Sequence, residues 1–145
     1  MQPIEIHRDG DVPLAYIVRA GWMPETTLFL TPDHFGQQMG MIVYGAGQEI
    51  RPHLHLPVVR EVHGTTECIV VRKGTCLLDL YDAHKRLLST HELAAGDIAL
   101  LLGGGHGFRM LEDTVLFEVK QGPFVGAADK ERFDRPLLTE PPRAP

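Results

Sequence analysis

Short apolar stretches broken by glycine, proline and aspartate recur along the whole chain, and none extends into a sustained helical period. This punctuation predicts many strands and little helix. Alternation places strands near Leu14–Arg19, Thr27–Leu30, Gln38–Tyr44, Glu49–His55, Glu67–Arg72, Thr75–Tyr81, Arg86–Leu93, Asp97–Leu101, Gly107–Leu111 and Val115–Lys120. Strands so spaced predict an all-β sandwich or barrel. The best helical stretch, Ala127–Phe133, is short and highly charged.

A chain of 145 residues fits one domain, placed here at residues 1–134. Residues 135–145 form a proline-rich tail with too little apolar content to anchor it, expected to be disordered or a loose strap. The formal charge of -5 and the lack of a Lys/Arg cluster argue against nucleic acid as a partner. Met1 to Gly10 lacks the apolar core of a secretory signal, and no run approaches membrane-spanning length. The expectation is a cytoplasmic protein without membrane contact.

Only two cysteines are present, Cys68 and Cys76, on either side of Lys73-Gly74. Read as a two-residue hairpin turn, that dipeptide sets Val71 opposite Cys76 and Cys68 opposite Asp79. The cysteines then face opposite sides, and no disulfide between them is expected.

Arg51-Pro52-His53-Leu54-His55 carries two imidazoles one residue apart. On a strand both project to one face, where neutral ring nitrogens can share a cation. Glu67 shares a face with Ile69 and Val71, and across the expected hairpin with Cys76, Leu78 and Leu80. An inward carboxylate in that apolar set is costly unless paired or coordinated. Gly103-Gly104-Gly105 permits a bend that would aim His106 inward as a third imidazole. Glu61 and His63 are competing ligands in the intervening segment. His7, His34, His84 and His91 lack supporting neighbours and are read as surface residues. Glu118 and Lys120 share a strand face with Leu116, as a solvated edge or as the rim of a pocket.

This spacing resembles the cupin superfamily, whose first motif runs G-x5-H-x-H, a spacer, then E-x6-G, and whose second begins G-x5-P-x-G and ends in a histidine. Gly47, His53, His55, Glu67 and Gly74 match the first motif, and Gly96, Gly104 and His106 approximate the second. Leu102 stands where the family has proline, the histidine arrives one residue early, and the spacer Leu56 to Thr66 is longer than usual. Of the competing carboxylates only Glu67 keeps the E-x6-G spacing. The resemblance covers most of residues 38–120. A narrower one, carried by Phe117 to Phe124, Asp129 to Phe133 and Arg51 to His55, is to WbuC-type cupin metalloproteins, which are associated with bacterial surface-polysaccharide gene clusters.

The resemblance implies a cupin-type jelly-roll β-barrel and one divalent metal ion per chain, held by His53, His55, Glu67 and His106. Imidazole and carboxylate ligands suit Fe, Mn, Ni and Zn alike. It also implies a homodimer, with Leu14–Val18 as a strand for exchange between subunits. The leading expectation is an enzyme acting on a small, sugar-like molecule by metal-assisted isomerisation, epimerisation, elimination or oxygen-dependent chemistry. The rivals are a non-catalytic, metal-stabilised carbohydrate-binding or accessory module and a metal-independent epimerase. No general base stands out among Glu61, His63, Glu118 and Tyr44.

Overall fold

The structure is a computed structural model that describes residues 2–126 and 128–135. As expected it is all-β, with no helix among the described residues. The chain divides into two compact units, one made of Met1–Gly21 with Thr65–Pro145 and the other of Trp22–Gly64.

The first unit holds β1 (Ile4–Asp9), β2 (Val12–Val18), β5 (Glu67–Lys73), β6 (Thr75–Tyr81), β7 (Leu87–Ala94), β8 (Ile98–Leu101), β9 (Gly105–Met110) and β10 (Val115–Lys120). They form a five-stranded sheet in the order β1-β2-β8-β5-β10 and a three-stranded sheet in the order β7-β6-β9. Among the described residues no backbone ladder joins the two, so they do not close into a barrel. Period-2 alternation turns Ala15 and Ile17 of β2, Ile69 and Val71 of β5, and Ala99 and Leu101 of β8 inward. There they meet Cys76, Leu78 and Leu80 of β6 and Leu93 of β7 in one core. Burying such side chains between two sheets removes roughly 1.5–3 kcal/mol worth of apolar exposure for each large one.

The chain crosses from one sheet to the other between β5 and β6, which corrects the expected hairpin. Lys73-Gly74 is a corner, and β5 pairs with β8 and β10 while β6 pairs with β7 and β9. Gly74 makes the corner possible. Its φ is +82°, and a Cβ there would stand 2.6 Å from the Asp113 carbonyl oxygen. The expected inward set survives because Cys76, Leu78 and Leu80 meet Ile69 and Val71 across the core instead of along a ladder. Both cysteines are free, Cys76 buried and Cys68 half-buried.

β1 was not expected, because its polar residues Glu5, His7, Arg8 and Asp9 hide the alternation. β2 is paired on both sides within the chain, with β1 and β8. The outward face of the small sheet is covered by the chain's own later residues. Asp79, fully buried, accepts hydrogen bonds from Thr90 Oγ1 at 2.6 Å and Arg109 Nη2 at 2.8 Å, and Arg135 Nη2 lies 3.0 Å away. Glu131 accepts from Lys85, and the Phe133 ring packs edge-on against Tyr81. Residues 128–133 contain no helix; Ala127 and residues 136–145, with the tail expectation that falls on them, lie outside the described residues.

The second unit contains β3 (Leu28–Phe29) and β4 (Gly40–Met41), an antiparallel pair. Thr31 is buried beside them, its hydroxyl accepting from Met39 N and donating to Gln38 Oε1. The expected strand Glu49–His55 is absent. Pro52 lacks the N–H a ladder needs, and every residue from Ile42 to Thr65 is exposed, so no buried face rewards pairing.

Candidate functional site

Glu67 opens β5 and is held in place from both sides. Its ladder partners are Leu101 of β8 and Lys120 of β10. Just before it, Thr66 N donates to Gln121 Oε1 and Gln121 Nε2 donates to Thr66 Oγ1, both at 2.7 Å. Alternation turns the carboxylate inward with Ile69 and Val71, and its residue is 5% exposed, as the sequence predicts for its orientation. Opposite it, His106 lies on β9 across from Leu80 and so shares the core-facing side of the small sheet.

These two residues meet across the sandwich. His106 Nε2 lies 3.0 Å from Glu67 Oε2. The aiming device is a single glycine and a strand, not the three-glycine bend expected. Of Gly103 to Gly105 only Gly104 has positive φ, at +65°, and Gly105 already belongs to β9. Lysines complete the surroundings, with Lys120 Nζ and Lys130 Nζ each 3.8 Å from Glu67 Oε1. The buried carboxylate therefore has cationic neighbours of its own. Glu118, 3.4 Å from Lys120, stands at the outer margin of this cluster.

His53 and His55 belong to the second unit and also lie together, their ring centroids 5.2 Å apart. They do so on irregular, exposed chain rather than by strand alternation. His53 Nδ1 is 3.0 Å from the Arg51 carbonyl oxygen. When that nitrogen carries the proton it donates to the carbonyl, and Nε2 is left as the ligating atom. Glu61 and His63 pair with each other at 3.1 Å in solvent.

A second cluster in the first unit corrects the reading of His7 and His91 as unsupported surface residues. β1 and β7 are edge strands of the two sheets. Glu5 and His7 are registered against the core residues Ile17 and Ala15, and His91 against Leu78. All three side chains thus turn towards one side of the sandwich. The imidazoles stack with centroids 3.8 Å apart, and the ligating atoms of Glu5, His7 and His91 fall within 4.8 Å of one another.

Burial pushes the His91 pKa down to about 4, helped by His7 and Arg19 and opposed by Glu5. Burial also lowers His7, against the attraction of Glu5. Burial works to raise the Glu5 carboxyl, but its hydrogen bond and charge interaction with Arg19 hold it below the usual value. At neutral pH the cluster is therefore two neutral imidazoles and one carboxylate, the donor chemistry of a divalent transition-metal site. The signal that could have found it is the spacing Glu5-x-His7, which repeats the one-residue gap of His53 and His55 on a stretch that does form a strand.

No protein-family model, no curated protein and no solved structure matches the chain.

Proposed function

We infer that the chain is a metal-binding cupin, a jelly-roll relative of the WbuC-type metalloproteins, that acts on a small, sugar-like molecule. The observation that carries this reading is the Glu67–His106 contact. Two residues named by the resemblance, Glu67 by motif spacing and His106 by an approximate second motif, bring a carboxylate oxygen and an imidazole nitrogen from strands in different sheets to 3.0 Å. That separation suits neighbouring ligands of one ion, and the donor set fits a divalent transition metal. The resemblance names His53 and His55 as the further ligands. A bound ion would act as a Lewis acid on a substrate carbonyl or hydroxyl. Lys120 and Lys130 would bind an anionic group of the substrate and hold the Glu67 carboxylate in place.

The two lysines favour a second reading as well. With Glu67 neutralised by Lys120 and Lys130, the Glu67–His106 pair serves as a metal-free acid–base dyad, moving a proton between carbon and solvent in an epimerisation. A non-catalytic accessory module is the remaining rival, and a homodimer is a further expectation of the resemblance. One series separates them. Elemental analysis of the purified full chain, with His53→Ala, Glu67→Gln and His106→Ala beside it, should show one equivalent of metal lost in each variant, and sugar-nucleotide turnover lost with it. Turnover that survives complete chelation sinks the metal reading in favour of the dyad. Stoichiometric metal with no turnover across a broad substrate panel favours the accessory module, and a monomer mass in sedimentation removes the dimer.

A further inference from the structure

We propose that Glu5, His7 and His91 form a second, independent binding site for a divalent transition-metal ion, in the same class as Zn²⁺, on the side of the sandwich where β1 faces β7. The donor spacing is that of a site needing little adjustment. Glu5 Oε2 lies 3.4 Å from His7 Nε2 and 3.9 Å from His91 Nδ1. An ion bound at roughly 2.0–2.1 Å by each ligand sets tetrahedral donors roughly 3.4 Å apart.

His7 Nε2 supplies the independent sign of a ligand. It is buried and makes no hydrogen bond, the one such side-chain atom among the described residues. Glu5 Oε2 lies 3.4 Å away and attracts it, but from beyond the roughly 2.7–3.2 Å of a well-formed hydrogen bond. A buried ring nitrogen left without a partner is destabilising, and coordination would remove that penalty.

The surrounding groups hold the donors in the ligating arrangement. His91 Nε2 is 2.8 Å from Ser89 Oγ. With the proton on Nε2 donated to the hydroxyl, Nδ1 keeps its lone pair towards Glu5 and His7, the outer contact that orients metal-bound histidines. Arg19 Nε donates to Glu5 Oε1 at 2.7 Å, and its Nη1 donates to Asp97 Oδ2 at 3.0 Å and to the Glu92 carbonyl. Arg19 thereby fixes the carboxylate through one oxygen and leaves Oε2 for the ion. Three protein ligands leave a fourth position for water or a small anion, with the Arg19 guanidinium nearby to favour the anion.

The test uses the wild-type full chain after chelation. Zn²⁺ is titrated in while the ring nitrogens of all histidines are followed by long-range ¹H–¹⁵N NMR. Saturable shifts of His7 Nε2 and His91 Nδ1 are expected, and Ser89→Ala should weaken that binding about 10–100-fold while the fold is retained. Shifts confined to His53, His55 and His106 would overturn this second site and leave the reading under Proposed function standing. Shifts at His7 and His91 alone would establish it and count against that reading. If no histidine responds, both fail.

Discussion

Gly104 sets the entry to β9, and replacing it with alanine tests how the backbone presents His106. Its φ of +65° lies in the left-handed region, where an L-residue costs about 1–2 kcal/mol. A Cβ would also stand 2.3 Å from the Tyr81 carbonyl oxygen and 3.0 Å from Leu14 Cδ2. The carbonyl belongs to backbone and cannot swing aside, so the strand end must move, at a further cost of about 1–3 kcal/mol. The sum for Gly104→Ala is about 2–5 kcal/mol. Gly10 is the control, with φ +57° and nothing within 4 Å of its built Cβ. Gly10→Ala carries the backbone term alone, about 1–2 kcal/mol. In urea unfolding with a slope of about 2 kcal/mol/M, Gly104→Ala should lower the midpoint by about 1–2.5 M and Gly10→Ala by about 0.5–1 M. Equal midpoints for the two variants would refute the argument that close approach to Tyr81, beyond the left-handed backbone, demands glycine here.

Two further outcomes follow from the ionisable groups. Asp79→Ala should cost about 2–3 kcal/mol, below the range for a fully buried pair because Arg109 and Arg135 are partly exposed and can turn to solvent. Burial opposes ionisation of Asp79, but hydrogen bonds from Arg109 and Thr90 win and lower its pKa. Its stabilisation is therefore present above the unfolded value near about 3.9 and lost as pH falls through the lower folded value, a loss that Asp79→Asn should abolish in acid titration of stability. For His91 the sign is the same but the window differs. With the folded pKa at about 4, the unfolded chain takes up the proton first. Chelated protein should lose up to about 3 kcal/mol as pH falls from about 6.5 to about 4, with Glu5, His7 and Arg19 as the charged neighbours, and His91→Gln should flatten that slope.

The strands that alternation finds are those whose apolar residues meet a core. β5 and β6 read clearly because Ile69, Val71, Leu78 and Leu80 all turn inward. β1 did not, since the residues it turns inward include Glu5 and His7. The reverse failure is Glu49–His55, where alternating apolar residues stay exposed and Pro52 interrupts the donors a ladder requires. Which strands become neighbours was less legible still. A Lys73-Gly74 hairpin and a corner between sheets use the same left-handed glycine, and only the ladders to β8 and β10 distinguish them. Spacing picks out Glu67, and His106 only through an approximate motif that is one residue short. In the Glu5–His7–His91 cluster spacing marks only the Glu5-x-His7 half, because His91 joins it through two edge strands facing each other.

The order of the large sheet also dictates when it can be built. β2 needs β8 along its second edge, and β5 needs both β8 and β10. During synthesis the early β1–β2 hairpin therefore waits, with Leu14 to Val18 unpaired on one side, until Ile98–Leu101 has emerged. Loop closure over so long an interval slows folding and leaves an apolar edge open to other chains meanwhile. β8 is the keystone in time as well as in space, and a nascent chain halted before residue 98 should bind chaperones that the completed chain ignores.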